Sequence, residues 1–392
     1  MPQTDCTPPV QGDEAFVRRE RARRRTQWAL QIAVLAVLVL CLWLLADNVG
    51  ENLAERNIRS GFEFLKGSAG FDIGEALLPF SSSDTVLKAF ANGVLNTIRV
   101  SFLAAISALV LGVVVGLMRL ASHPVLRALG TAHVEVYRNI PLIIQLFAIY
   151  MLITELLPMS TEPMRFGSWA LLSKAGLYVA VPQQTTLALL AAVIAGVLAA
   201  LLLREIWRRR VTDLVASLIG LGGGALAAII VWCLFGLVGG WSKPVVDGFM
   251  TVGGTALSPE FLALWLGLTM FTSAAIAEIV RAGVLAVSGG QWDAGMALGL
   301  TKTQVVSYIV FPQSMRLAIP PLTSQFMNLT KNSSLAVVIG YPDIVAVGNS
   351  SINITGQALE VIFIIMAVYL FLNLIISLLM NTLNARVMRA PR

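Results

Sequence analysis

The sequence predicts an all-α membrane protein with about eight transmembrane helices. Of its 392 residues, 57% are hydrophobic and 13% are charged, whereas soluble domains carry roughly 25% charged residues. Apolar runs near the ~20 residues that a spanning helix needs recur along the chain. Arginine clusters stand at the ends of several runs, which is typical of cytoplasmic loops. The net charge of +6 therefore reflects membrane topology, and we expect no nucleic-acid partner.

The first 92 residues predict a tail, an anchor and an exported segment. Residues 1–26 are polar and hold six arginines between Arg18 and Arg25, so they are expected to form a disordered cytoplasmic tail. Residues 27–46 are expected to form an N-terminal anchor helix, because this apolar run exceeds the core of a signal peptide. Residues 47–92 are mixed in polarity and are expected to lie in the periplasm, with a short interfacial helix near residue 63.

Seven further spans are expected between residues 93 and 385. Residues 93–157 hold two of them, residues 158–258 a periplasmic loop and a helical hairpin, and residues 259–385 the last three. The eight expected spans cover residues 28–46, 93–118, 140–157, 185–203, 214–238, 259–280, 315–339 and 359–379. An even number of spans places both termini in the cytoplasm, including the tail 386–392.

Small residues and prolines mark particular features of these spans. Gly112 and Gly116 form a small-xxx-small face on the second span, which predicts close contact with another helix. Pro320 and Pro321 are expected to interrupt the seventh span and to free backbone carbonyl groups.

The inner loop 284–312 predicts a helix-turn-helix at the cytoplasmic surface. Gly299 suits the left-handed position that follows a helix end. Thr301 and Gln304 have the spacing of a capping box, which starts a second helix. Pro312 is expected to close that helix and redirect the chain into the seventh span.

The first helix of this pair is expected over residues 291–298. The two glycines Gly289 and Gly290 are expected to end the sixth span just before it. Asp293 would then lie near the helix N-terminus, where negative charge interacts favourably with the helix dipole. The small side chain of Ala294 would let a partner approach closely.

This loop also carries a recognisable motif. Asp293-Ala294-Gly295, three residues, Gly299, nine residues and Ile309-Val310-Phe311-Pro312 resemble the E-A-A-x3-G-x9-I-x-L-P motif of bacterial ABC importer permeases. Asp replaces Glu, Gly replaces the second Ala, and Phe replaces Leu. In that family the loop is the coupling helix, which sits in a groove of the ATPase subunit. The resemblance implies six ATPase-coupling residues: Asp293, Ala294, Gly295, Gly299, Ile309 and Pro312.

Other strings resemble the polar amino-acid subgroup of these permeases. They are Gly93–Arg99, Tyr137–Leu142, Ala277–Gly283 and Lys331–Leu335. The segment Gly61–Leu65 and the chain length resemble the general L-amino-acid permeases, including those for glutamate, glutamine, aspartate and asparagine.

The resemblance implies a type I importer core of five helices, to which the anchor helix and the inserted hairpin are added. It further implies a bacterial inner-membrane permease that imports L-amino acids. Its implied partners are an ABC ATPase dimer that uses ATP and Mg, a related second permease subunit, a periplasmic solute-binding protein and membrane lipid.

Polar side chains within the spans are candidates for the substrate pathway. These are Gln145 in the third span and Gln325, Asn328, Lys331 and Ser333 in or just after the seventh. Gln325, Asn328 and Lys331 follow at intervals of three and so share one helix face. The same face could instead contact a second permease subunit, and both interpretations stay open.

The sequence argues against catalysis by this chain. It lacks the G-x-x-x-x-G-K-[ST] string that binds phosphate, so we expect ATP hydrolysis by a separate subunit. Its three cysteines and two histidines lack the spacing of a metal site, and none is expected. The alternative function is a secondary amino-acid carrier driven by an ion gradient, which inverted repeats and charges at mid-depth would favour.

Overall fold

The computed structural model describes residues 11–55, 61–209 and 213–389. The chain divides into two units, one ending at Phe62 and the other beginning at Glu63. The first contains α1, a continuous helix over Gln11–Glu55. The predicted disorder of the basic tail is therefore wrong from residue 11 onwards, and residues 1–10 lie outside the described residues. Arginine and glutamate are good helix formers, so the helix extends readily from the apolar segment into the basic one.

The second unit is mainly helical. A 3₁₀ turn over Phe62–Lys66 lies where this unit begins, at the position of the expected short interfacial helix. The helices that follow are α2 (Val86–Leu120), α3 (Pro124–Asn139), α4 (Leu142–Met151), α5 (Thr185–Trp207), α6 (Asp213–Gly239), α7 (Pro259–Leu285), α8 (Gly289–Ala297), α9 (Lys302–Val305), α10 (Phe311–Asn332), α11 (Ile344–Thr355) and α12 (Ala358–Arg389). Helical turns extend α4 over Leu152–Leu156, precede α10 over Val306–Val310 and follow α10 over Ser333–Ile339.

Five described helices are long and apolar enough to cross a membrane. They are Val86–Leu120, Thr185–Trp207, Ile219–Gly239, Pro259–Leu285 and Ala358–Ala385. Two bent pairs raise the number to seven if each is one span: α3 with Leu142–Leu156, bent by 105°, and Lys302–Ile339 with α11, bent by 51°. The apolar stretch Thr26–Cys41 of α1 is shorter, and the count of eight spans stays a prediction.

Helices α2 and α7 pack closely against each other in the core. A Cβ atom on Gly112 would lie 2.6 Å from Cβ of Ile276, and one on Gly116 would lie 2.9 Å from the carbonyl oxygen of Ala277. Real Cβ atoms do not approach this closely, so only glycine permits the observed spacing. The predicted small-xxx-small contact is confirmed, and the main apolar cluster, which includes Leu146, lies beside it.

The hairpin α5–α6 is largely exposed on its outside. Most of its large apolar residues face away from the protein, and few are buried. Gly196 and Gly224 let the two helices approach, because a Cβ on Gly196 would lie 3.0 Å from the carbonyl oxygen of Gly224. This pair therefore packs mainly on itself, as expected for a hairpin at the periphery of a membrane protein.

The loops around the hairpin contain short strands that the all-α prediction did not include. They are β1 (Met164–Phe166), β2 (Ala170–Ser173), β3 (Gly176–Val179), β4 (Val181–Pro182), β5 (Trp241–Ser242), β6 (Val245–Asp247), β7 (Met250–Val252) and β8 (Thr255–Leu257). They pair antiparallel in the orders β1-β2-β3-β8, β4-β5 and β6-β7. The sequence did not predict these strands, because two to four residues are too few to show a period-two pattern. In addition, β3 pairs with β8, which lies on the other side of the hairpin in the chain.

The prolines of the seventh span do not break it. Helix α10 continues through Pro320 and Pro321, so the predicted interruption is wrong. Pro312 does not close a helix either, because the chain is helical from Lys302 to Asn332. A wider π turn over Val306–Val310 comes just before Pro312. Such a turn relieves the clash between a proline ring and the carbonyl four residues earlier.

Candidate functional site

The inner loop forms the predicted helix pair, with a different start. Helix α7 ends at Leu285, and α8 begins at Gly289 after the N-cap residue Ser288. The expectation that Gly289 and Gly290 terminate the sixth span is therefore wrong, since both lie in the first turn of α8. Asp293 consequently lies in the second turn, beyond the region where the helix dipole acts most strongly.

The turn between α8 and α9 has the predicted glycine geometry. Gly299 has a φ angle of 79°. Its N–H donates to the carbonyl of Met296 at 2.9 Å, and the N–H of Leu300 donates to the carbonyl of Gly295 at 3.3 Å. These two bonds define a Schellman motif, which satisfies the last carbonyl groups of a helix. The prediction for Gly299 is confirmed.

The second helix starts with the predicted capping box. The N–H of Gln304 donates to Oγ1 of Thr301 at 3.4 Å, and the N–H of Thr301 donates to Oε1 of Gln304 at 2.8 Å. The helix pair also has a small apolar core built on Val287, Val305 and Val310. The loop therefore keeps its shape through local contacts of its own.

Gly295 explains how closely α8 approaches the following helix. A Cβ atom at this position would lie 2.8 Å from Cδ1 of Ile309 and 2.9 Å from Cγ2 of Val305. The larger alanine of the E-A-A motif would push these side chains apart. Gly295 is thus a packing residue of the helix pair, and it does not face outward.

Several large apolar side chains of the inner loop are exposed. Leu298 is 81% exposed, Tyr308 is 69% exposed and Met296 is 45% exposed. Asp293 and Ala294 are exposed on the same helix as Met296. These exposed apolar side chains offer area to a protein partner.

The six predicted coupling residues divide by position. Asp293, Ala294 and Gly299 are exposed and accessible to a partner. Gly295 is buried and Ile309 is half-buried, and these two pack within the loop. Pro312 is half-buried at the start of α10. Their coupling role stays a prediction.

Three predicted pathway residues share an open face of α10. Asn328 and Lys331 are exposed and Gln325 is half-buried. Ser333 differs, because it is fully buried and its Oγ donates to the carbonyl of Thr330 at 2.8 Å. The structure therefore brings the three helical residues together and places Ser333 inside the protein.

Gln145 holds the bend between α3 and α4. Its Nε2 donates to the carbonyl oxygens of Tyr137 at 2.8 Å and Ile140 at 2.7 Å. Both acceptors lie at the end of α3, where the 105° bend leaves carbonyl groups without helical partners. Gln145 is only 5% exposed, and its Oε1 has no hydrogen-bond partner among the described residues.

An ionic cluster at the start of α7 was not singled out from the sequence. Arg99 of α2 pairs with Glu75 from the preceding loop, and Oγ of Ser258 donates to the same carboxylate. The Arg99 guanidinium lies 4.3 Å from the ring centroid of Phe261. The sequence could have indicated this cluster, because Arg99 is a charged residue inside an apolar run, and such residues are functional candidates by default.

The described residues contain no group of three metal-ligating side chains. His133 is instead within hydrogen-bond distance of another helix, with its Nε2 atom 2.9 Å from Oγ of Ser273. This contact joins α3 to α7.

The described helices that are long and apolar enough to cross a membrane define a multi-pass membrane protein, and the helix pair α8–α9 lies between α7 and α10 in the chain. A family model described as "Binding-protein-dependent transport system inner membrane component" matches residues 192–389. The chain belongs to this family. It is the membrane permease component of an ABC importer, and ATP hydrolysis takes place on a separate subunit.

Individual relatives resemble the chain over nearly its whole length. YhdX of Escherichia coli strain K12 is 42% identical over 374 residues, covering 92% of this chain and 93% of that protein. The general L-amino acid transport system permease protein AapQ of Rhizobium johnstonii is 38% identical, covering 92% of each. The glutamate/glutamine/aspartate/asparagine transport system permease protein BztB of Rhodobacter capsulatus is 34% identical, covering 91% of this chain and 92% of that protein.

Among solved structures, an amino acid ABC transporter crystallised with histidines is 22% identical to this chain. It matches 76% of this chain and 94% of its own, with a TM-score of 0.46.

Proposed function

We propose that this chain is a permease subunit that imports polar L-amino acids, either acidic and amide types or a broad range. Transport runs from periplasm to cytoplasm by alternating access and is driven by ATP hydrolysed on a partner. The observation that carries the proposal is the helix pair α8–α9, which is attached directly to the spanning helices α7 and α10 and exposes an apolar surface.

The helix pair fits the requirements of a coupling element. It is compact, because its core and turn bonds hold α8 against the following helix. Its exposed side chains Met296, Leu298 and Tyr308 supply apolar area for a partner. A rigid element transmits a displacement by the partner to the spanning helices, whereas a flexible loop would change its own conformation instead.

The substrate class is supported by the relatives and by the open face of α10. AapQ is described as a general L-amino acid permease, and BztB as one for glutamate, glutamine, aspartate and asparagine. Lys331 can pair with a carboxylate, while Asn328 and Gln325 can donate to and accept from amide and carboxylate groups. The alternative is that a second permease subunit covers this face of α10. That subunit would then need polar groups that pair with the same side chains.

The assembly follows from these roles. An ABC ATPase dimer binds the helix pairs of two permease subunits, this chain and a related, non-identical one. A periplasmic solute-binding protein delivers the amino acid to the outer loops. The chain resides in the bacterial inner membrane as a multi-pass protein, surrounded by lipid, with both termini in the cytoplasm. ATP and Mg bind the partner ATPase.

The test is transport by the complex isolated through a tag on this chain. The complex is reconstituted into proteoliposomes, and uptake of each of the common L-amino acids is measured with and without ATP, with and without the solute-binding protein, and with an imposed proton or sodium gradient. We expect an ATPase to copurify and uptake to require ATP. Uptake that persists without an ATPase and follows the ion gradient would replace this proposal with the secondary carrier.

A further inference from the structure

Charged residues mark both ends of the membrane-spanning part of α2. Arg99 and Arg119 are 20 residues apart, which corresponds to about 30 Å along an α-helix. This distance matches the hydrocarbon thickness of a bilayer, about 30 Å. The N-cap residue of α7, Ser258, and Glu278 are also 20 residues apart. At one end Arg99 and Ser258 both contact Glu75, and at the other Arg119 pairs with Glu278.

A single carboxylate bridges the two helices at the inner end. Nη1 of Arg119 donates to Oε2 of Glu278, and Nη2 of Arg281 donates to Oε1 of Glu278 at 2.8 Å. Both carboxylate oxygens are therefore occupied, one by α2 and one by α7 itself. The side chain of Arg119 is only 13% exposed, and that of Glu278 is 30% exposed. Partial burial strengthens such a pair relative to a surface pair.

Helix α3 packs over the same arginine. A Cβ atom on Gly130 would lie 2.9 Å from Cγ of Arg119 and 3.1 Å from the carbonyl oxygen of Val115. Gly130 thus makes room for the aliphatic part of Arg119, which restricts where its guanidinium can go. Between the two membrane boundaries, Gly112 and Gly116 hold α2 directly against α7.

We propose that Glu278 is a positioning residue that makes α2 and α7 move as one body when the helix pair is pushed. Helix α7 comes immediately before α8 in the chain, whereas α2 is separated from α8 by several helices and strands. The Arg119–Glu278 bridge lies at the end of α7 nearest to α8, where a force from the partner arrives first. The inference rests on the proposed coupling function. It identifies Glu278 as the residue through which a displacement of α7 also displaces α2.

The experiment measures ATP hydrolysed per amino acid transported by the reconstituted complex, normalised to the amount of complex. Coupling free energies between sites are typically about 1–3 kcal/mol, so we expect E278Q to raise this ratio about fivefold or more. R119Q should have the same effect, and the double variant should be no worse than either single variant. The matched control is E205Q, which removes an exposed ion pair with Arg208 on α5, 3.1 Å long, and should leave the ratio unchanged.

A covalent cross-link tests whether Glu278 acts by holding α2 against α7 or only by supplying charge or stability. In a chain whose native cysteines are replaced by serine, Arg119→Cys with Glu278→Cys should be uncoupled until a short bismaleimide joins the two thiols. Restored coupling after cross-linking supports the proposal. This result does not depend on whether the E278Q variant assembles well. A wild-type ratio in E278Q and R119Q, or a cross-linked pair that stays uncoupled, would overturn it. In either case ATP-driven uptake by the unmodified complex would leave the proposed function intact.

Discussion

Replacing Gly299 with alanine tests whether the turn between α8 and α9 must keep its shape for coupling. Gly299 has a φ angle of 79°, where an L residue costs about 1–2 kcal/mol because its Cβ crowds the backbone. Among the described residues, no atom would lie within 4 Å of that Cβ, so the cost is purely conformational. The same free energy lowers the ratio of the native turn to other turn conformations roughly 5- to 30-fold. We expect ATP hydrolysed per amino acid transported to rise, with little change in the amount of complex.

Gly290 provides the matched control for this substitution. It lies in α8, its φ angle is outside the left-handed region, and its added Cβ would likewise have no neighbour in the described structure within 4 Å. Alanine in a helix is favoured over glycine by up to about 1 kcal/mol, so G290A should couple normally. G299N should fall between wild type and G299A, because asparagine tolerates the left-handed region better. Equal coupling ratios in G299A and G290A would refute the reasoning.

Three further outcomes follow from the packing and the polar contacts. Gly112→Val should destabilise the complex by about 1–3 kcal/mol through overpacking against α7, and a thermal melt in detergent should show no such loss for Gly222→Val, whose Cβ would meet no described atom within 4 Å. Gln145→Leu removes the two hydrogen bonds that the buried Gln145 side chain donates at the end of α3 and should cost about 1–3 kcal/mol, measured in the same melt. Asn328→Ala and Lys331→Ala should each weaken the apparent affinity for the amino acid about tenfold. Unchanged affinity with loss of the second permease subunit from the purified complex would assign that face to the subunit interface instead.

Local chemistry explains which parts of the helix pair were predictable. The left-handed turn at Gly299 and the capping box of Thr301 with Gln304 depend on neighbours within five residues, and both are confirmed. The role of Pro312 was predicted incorrectly, because a π turn just before it accommodates the ring. Sequence spacing alone does not reveal whether a helix continues through a proline or ends there, since neighbouring helices decide whether the cost is tolerated.

The same distinction applies to the candidate pathway residues. The shared face of Gln325, Asn328 and Lys331 follows from helical periodicity, and it is observed. Gln145 looked similar because it is a polar residue in an apolar run. The 105° bend at the end of α3, which creates the carbonyl groups that Gln145 binds, comes from tertiary packing. A polar residue in a membrane span can therefore either face a pathway or satisfy the backbone, and only its contacts distinguish these uses.

The amino-acid sequence by itself determined the membrane class, the positions of most long helices and the shape of the inner turn. These depend on apolar run length, residue spacing and short-range hydrogen bonds, all of which are local. Only the tertiary structure decided that Arg119 meets Glu278, that Arg99 meets Glu75, and that strands from both sides of the hairpin pair with each other. Those contacts join residues far apart in the chain, and their geometry exists only after the helices have packed.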